Sequence, residues 1–492
     1  MLRITAFFLV LTAGLVSSCH EQSPALVIYQ TSADGDKLTS VEAGGEATEI
    51  VINLRPEEKF QSITGFGGAF TESSAHILNK LSKDNRDRVL RAYFGGEGAR
   101  YSLCRTHINS CDFSLDHYSY APDSGDVLLR SFSIDEDRDD IIPMIKQAQA
   151  ISAEGFKLVA SPWTAPPWMK TNNDWYGGKL KPEYYDTWAL FFSKYLEAYA
   201  QEEIPIWAIT VENEPLGNDS NWESMHYTPG EMADFVKKHL GPTLDSSHPE
   251  VKILVYDQNR GRELNEWAEA LLTDKELLPY IYGTAVHWYT STVDWFPESL
   301  KYTHELAPDK AIIHTEGCVD AEVPVWYDDG WYWSREATDW GYEWAPDSLK
   351  KDHPRYVPVY RYARDIIGCL NNHVEGWIDW NMVLDRQGGP NLAQNWCVAP
   401  VIADPAADSL YFTPLYYTLV HFSRFIRPGA EKIGIDLAGE NGLMATAVEN
   451  SDGSIVAVVL NQDTKPADFR LDLEGDSYNI RIKAQAIQTI IL

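Results

Sequence analysis

Positive charge is scarce in this chain. Against 72 acidic residues stand 41 lysines and arginines, for a formal net charge of −31 over 492 residues. Nucleic acids and anionic membrane surfaces need clustered Lys and Arg, so both are disfavoured and a neutral ligand fits better. Cysteine is scarce too, six in all. Setting Cys19 aside leaves Cys104, Cys111, Cys318, Cys369 and Cys397, an odd number with neither CxxC nor Cys/His ligand spacing. That pattern argues against a disulfide framework and against a zinc site, and leaves mostly buried thiols. The acidic run "DEDRDD" at residues 135–140 lacks calcium-loop spacing and reads as solvated surface. No cofactor and no metal is expected.

The N-terminal apolar run, residues 6–16, is too short to span a bilayer and has the length of a signal-peptide core. Arg3 precedes it and small residues follow, ending in "LVSSC". This resembles the lipobox of bacterial lipoproteins, in which the cysteine becomes the lipid-modified mature terminus. Residues 1–18 are therefore expected to be a signal peptide and Cys19 the lipidated residue. The protein would be exported and anchored to a bacterial membrane, periplasmic or at the cell surface, touching the membrane only through that lipid.

Aromatic residues, by contrast, make up 12% and hydrophobic residues 44%, enough for a large core plus a smaller domain. Strand-like runs separated by turn residues stand at both ends: "PALVIYQTSADGDKLTSVE" and "EIVINL" early, "SIVAVVLNQ", "DFRLDLEG" and "AQAIQTIIL" late. They predict one β-sandwich built from both termini, residues 20–58 and 429–492. Between them, eight short apolar runs alternate with helical segments: "FQSITGFGGAF", "RYSLCRTHI", "FKLVASPW", "PIWAITVENEP", "VKILVYDQN", "IYGTAVHWY", "KAIIHTEG" and "VEGWIDWNM". One such helix shows Trp188, Phe192, Tyr195, Leu196 and Tyr199 at the spacing of a single buried face. Eight strand-then-helix units across residues 59–428 predict an α/β fold, a (β/α)8 barrel with enlarged loops, whose chemistry belongs at the C-terminal ends of its strands.

Two glutamates occupy such ends, Glu214 after the fourth run and Glu316 after the seventh. Barrel closure brings both rims to one mouth. Two carboxylates facing each other are what glycosidic hydrolysis requires, one to protonate the leaving oxygen and one to meet the oxocarbenium-like carbon. Asn213 beside Glu214 offers an amide to a sugar hydroxyl, and Pro215 fixes the chain direction after the acid. Flat rings suit sugar faces, and Trp163, Trp168, Trp288, Tyr289, Trp377 and Trp380 cluster at three strand ends. Glu212, two residues before Glu214, would face the same way on a strand.

The motifs "GFGGAFTESSA", "SCDFS", "ASPWTAPPWMKTN", "WAITVENEP", "VHWY", "TEGC", "GWIDWN" and "GGPN" resemble, in order, those of glycoside hydrolase family 30, in particular its glucosylceramidase-like branch. The resemblance runs from about residue 60 to the end. It implies a (β/α)8 barrel with a side β-sandwich, and retention of anomeric configuration. It further implies that Glu214 is the general acid/base and Glu316 the nucleophile. Asp112, Trp163, Asn213 and Trp380 would hold the nonreducing-end glucose, with Arg105 near the nucleophile, Tyr289 on the rim and His287 below it. Glu316 should then be ionised, supported by Arg105 and Tyr289, while Glu214 starts protonated.

An aromatic insertion, "VWYDDGWYWSREATDWGYEW", follows the seventh run and includes Trp331 and Trp333. Long loops of this kind are usually functional, so these residues, with Trp168, are candidates for the cleft rim. The insertion makes polysaccharide a better expectation than ceramide. The order of substrates is β-1,6-glucan or its oligosaccharides, then glucosylceramide or another β-glucoside, then β-xyloside. Two rivals come from other classes: a glycan-binding lipoprotein without turnover, and a metal-dependent hydrolase with His/Asp/Glu ligands at the strand ends. Neither endo or exo action nor oligomeric state follows from these residues.

Overall fold

The eight central runs become the eight parallel strands of a closed barrel: Gly65–Phe70, Leu103–Ile108, Lys157–Pro162, Ala208–Thr210, Lys252–Asn259, Gly283–His287, Ala311–Glu316 and Val374–Asn381. The first six pair in chain order, the seventh lies between the sixth and the eighth, and the eighth closes onto the first. A parallel barrel is covered on both faces, which is why these strands are buried along almost their whole length. The computed structural model describes residues 26–291, 293–320, 357–439 and 442–492. The leader with Cys19, and the insertion with Trp331 and Trp333, lie outside the described residues.

The helical periodicity holds where it was read. Helix Tyr185–Gln201 buries Trp188, Phe192, Tyr195, Leu196 and Tyr199, one continuous stripe against the barrel. The first run divides instead of forming one strand. Residues up to Ser62 belong to a long strand, Val51–Ser62, of the other domain, and the barrel strand starts at Gly65. Gly65 has φ +147°, and a Cβ there would lie 2.5 Å from Ser102 Oγ. Only glycine tolerates both demands, so the chain changes sheets there. The change falls at residues 63–64, four or five residues later than expected.

Both termini build one nine-stranded sheet. Strand Val27–Ser32 pairs antiparallel with the last strand, Ala486–Ile491, while Val51–Ser62 runs between Glu431–Ala438 and Ala467–Leu473. The sheet folds over its own core, in which Ile28, Ile52 and Leu54 meet Ile433, Phe469, Leu471, Ile480 and Ile490. Helix Pro414–Ser423 fastens this domain to the barrel. Its buried His421 contacts Thr31 Oγ1 and Thr489 Oγ1, each at 2.8 Å, so one imidazole holds both chain ends. Burial lowers the His421 pKa to about 3, keeping it neutral. Past the eighth barrel strand, Cys397–Val398 pairs with Val319–Asp320 beside the mouth.

Candidate active site

Inward-facing side chains of the barrel form two layers. Leu103, Val159, Ala208, Leu254, Ala285, Ala311, Ile313 and Ile378 make one apolar cluster in the lower layer. Two or three residues further along the same strands stand Arg105, Ser161, Asp257, His287 and Trp380. The period-two alternation of a strand puts both sets on the inner face, except at Asp257, which faces in because the fifth strand shifts register there. The upper set is a polar network built around Arg105.

The Arg105 guanidinium is fully buried and donates to Ser161 Oγ (3.0 Å), Asn213 Oδ1 (2.9 Å), Asp257 Oδ2 (2.8 Å) and Glu316 Oε2 (2.5 Å). Its cation also lies 4.9 Å from the Trp163 ring and 5.5 Å from the Trp380 ring. Asp257 in turn accepts from Thr315 Oγ1 at 2.6 Å and meets His287 Nε2 at 2.9 Å. Burial works to raise the Asp257 pKa, but Arg105, His287 and the Thr315 hydroxyl overcome it, and the carboxyl sits well below the usual range. Burial likewise lowers His287, yet Glu316 and Asp257 prevail and raise it to about 9. His287 is therefore an imidazolium at neutral pH.

Glu316 ends its strand in register with His287, past an irregularity between His314 and Glu316. Tyr289 Oη donates to its Oε1 at 2.9 Å while Arg105 holds Oε2. Both are hydrogen bonds made to the carboxylate form. Burial raises the Glu316 pKa from the ordinary value; His287 and Arg105 limit the rise, and Glu214 and Asp257 add to it. The donors expected beside Glu316 are in place, against a desolvation that strand-end position alone did not suggest.

Glu214 reaches the mouth by a different route. Its strand ends at Thr210, and Glu214 adopts φ +48°, a left-handed conformation that costs a non-glycine residue about 1–3 kcal/mol. Across from it, Tyr256 and Asp257 have φ +75° and +56°, where the fifth strand shifts register. The Glu214 N–H donates to the Asp257 carbonyl at 2.9 Å, so one unusual turn braces the other. Strand alternation therefore fails for Glu212. It is wholly buried near Lys170 and does not line the cavity that Glu214 lines. A carboxylate oxygen of Glu214, one of Glu316 and a ring nitrogen of His287 lie within 4.8 Å of one another.

These groups open into a cavity of about 270 Å³ lined also by Asp112, Trp163, Asn213, Tyr289 and Trp380. Trp163 and Trp380 stack at 5.2 Å with 22° between their planes, a flat apolar floor. Asp112 is buried, and its Oδ2 accepts from Asn395 Nδ2 at 3.4 Å while Oδ1 has no partner among the described residues. Burial, then Glu316 and Glu223, push its pKa well up, and a hydroxyl-bearing ligand would supply the partner that Oδ1 lacks among the described residues. Every residue that the motifs assigned to sugar or nucleophile is here, His287 and Arg105 lying beneath the lining.

Three of the six strand-end aromatics are elsewhere. Trp168 is in the main core with its indole N–H on the Ala121 carbonyl, so it forms no part of this rim. Trp288 and Trp377 pack against each other and Tyr362 behind the barrel wall. The two-residue period explains the split, since Trp377 and Trp380 straddle opposite faces of the eighth strand. Sequence reading missed Asp257, Gln258, Asn259, Trp222 and Asn395. "VYDQN" ends the fifth strand as polar residues end the others, and that was the available signal; Trp222 and Asn395 lie on loops without one.

The trio of Glu214, Glu316 and His287 has the spacing of a cation site. Its geometry is against one, because the Arg105 guanidinium already pairs with Glu316 and Asp257 already meets His287.

Comparison with known proteins agrees with this geometry. Residues 63–426 match the glycosyl hydrolase family 30 TIM-barrel domain, and residues 429–490 the beta sandwich domain of the same family. The chain is 36% identical over 450 residues to lysosomal acid glucosylceramidase of Mus musculus, covering 89% of this chain and 83% of that protein. It is 28% identical over 483 residues to endo-1,6-beta-D-glucanase of Neurospora crassa, covering 93% and 92%. Among solved structures, SrfJ from Salmonella typhimurium superposes with a TM-score of 0.82 at 31% identity, over 95% of this chain and 99% of that one. The endo-beta1,6-glucanase BT3312 gives 0.81 at 26% identity with the same coverage.

Proposed function

The chain belongs to glycosyl hydrolase family 30 and is an O-glycosyl hydrolase, and from that premise we propose that it cleaves β-D-glucosidic bonds with retention, on β-1,6-glucan or its oligosaccharides. One observation carries the mechanism: oxygens of Glu214 and Glu316 lie within 4.8 Å of each other. Retaining enzymes hold their carboxyl groups about 5–5.5 Å apart, and inverting ones about 6.5–9.5 Å to admit a water. In this reading Glu316 attacks the anomeric carbon while Glu214 protonates the departing oxygen. Arg105 and His287 are the positive groups beside Glu316, and Asp257 pairs with both of them. Forming the glycosyl ester removes the Glu316 charge and leaves a positive surplus, which Glu214 offsets as a carboxylate while it activates water.

Polar groups on the cavity wall, Gln258, Asn259 and Asn395 as well as Asp112, favour a hydroxyl-rich ligand over an alkyl chain. A second reading, glucosylceramide, is favoured by the 36% identity to the lysosomal enzyme. Product analysis on a panel of β-linked glucans and glucosylceramide, with the anomer followed by NMR, tests both. Release of the α-anomer first would end the double-displacement reading, and turnover of glucosylceramide alone would reverse the substrate order. The leader-like terminus supports export and a lipid on Cys19; palmitate labelling that survives Cys19→Ala would remove that part.

A further inference from the structure

The cavity wall holds two groups that hydrolysis does not use. Cys318, two residues past Glu316, and Cys397, two residues past Asn395, both line it, and their sulfurs stand 2.9 Å apart. Backbone pairing sets this approach. Val319 opposes Val398 and Asp320 opposes Cys397 in a short antiparallel ladder. Each side is also held from behind: the Cys397 N–H donates to the Gly388 carbonyl at 3.1 Å, and the Trp380 N–H to the Gly317 carbonyl at 2.9 Å. Gly388 has φ +95°, and a Cβ there would sit 2.4 Å from the Cys397 carbonyl oxygen, so any other residue would displace this segment. A disulfide needs about 2.05 Å between sulfurs, so the gap closes by about 0.9 Å, a distance that small side-chain rotations cover.

We propose that Cys318 and Cys397 are a redox-active dithiol in the wall of the substrate cavity, which a low-molecular-weight disulfide oxidises to an intramolecular disulfide. One cysteine thiolate attacks a sulfur of the oxidant, forming a mixed disulfide and releasing one small thiol. The second thiolate then attacks the cysteine sulfur of that mixed disulfide and expels the other. Two protein thiols are oxidised, one small disulfide is reduced to two thiols, and the two cysteine protons end on the released thiolates. Cys104, Cys111 and Cys369 do not line the cavity, which makes the reaction selective. The bond would tie the segment whose Asn395 reaches Asp112 to the strand end that bears Glu316. The pair stands on geometry that is independent of which glycoside is cleaved.

The full-length reduced protein, treated with excess oxidised glutathione and then alkylated, is digested without reduction and mapped by mass spectrometry. The expected result is loss of two titratable thiols and a cross-linked peptide joining Cys318 to Cys397, reversed by dithiothreitol. Cys318→Ser and Cys397→Ser should each stop at a single glutathione adduct on the remaining partner. Retention of both thiols under conditions that oxidise free dithiothreitol overturns the proposal. So does a cross-link to Cys111, or wild-type protein that stops at single adducts.

Discussion

The bottom and the mouth of this barrel are made by the same strands and obey opposite rules. At the bottom, Leu103, Val159, Ala285 and Ile378 point inward and fill the interior as aliphatic core. Two residues on, Arg105, Ser161, His287 and Trp380 point the same way. Taking a charge out of water costs several kcal/mol per ion unless it is paired. The aliphatic layer avoids the cost by carrying no charge, and the mouth meets it with a chain of ion pairs from Glu316 through Arg105 and Asp257 to His287. What distinguishes a working site from a buried structural pair is incompleteness. Asp112 Oδ1 lacks a partner among the described residues, and Glu214 keeps one face on the cavity.

Substitutions at the two ends should therefore fail differently. Glu316→Gln is nearly isosteric and should leave a folded protein whose kcat falls by at least about 10⁴-fold, as loss of a covalent nucleophile does. A residual rate within tenfold of wild type would remove Glu316 from that role. Glu214→Gln should cost about 10²–10⁴-fold, and less on an aryl glucoside whose leaving group needs no proton. Equal losses on aryl and alkyl glucosides would count against the acid.

Asp257 touches no substrate position; it positions Arg105 and His287. Asp257→Asn should lower kcat by about 10²-fold through misplacement of Glu316, with KM little changed and the pH profile displaced. An unchanged profile would mark it as structural only. At the bottom, Ile313→Ala should cost about 2–5 kcal/mol of stability, read as a lower denaturant midpoint, while the folded fraction keeps its kcat/KM. Lost turnover at full folding would blur the division between the layers.

The smallest effect is a pH dependence. His287 has a folded pKa of about 9 against about 6.5 unfolded. Its stabilisation is therefore complete below about 6.5 and is lost as pH rises through about 9. Wild-type Tm should decline over that window more steeply than that of His287→Gln. Parallel curves would show that the imidazolium does not hold the mouth together.

Much of this was legible beforehand. Eight apolar runs became eight barrel strands, and both chain ends share one sheet, because alternation and turn residues are local signals. The split of the first run at Gly65 was less legible, since nothing in "FQSITGFGGAF" marks which sheet each half joins. Glu214 and Glu316 were recognisable by their place at strand ends. Asp257 was not, because a lone Asp in "VYDQN" acquires its role only from Arg105 and His287, which come from two other strands.

The residue sequence by itself determined the count of barrel strands, the inward and outward alternation, and the presence of two carboxylates with their aromatic company. Tertiary structure alone decided which rings face the cavity, how Glu214 is aimed, and that Cys318 meets Cys397. The reason is physical. Alternation is a property of neighbouring residues, but left-handed turns at Glu214, Tyr256 and Asp257 interrupt it, and ring closure sets side by side groups that the chain holds far apart.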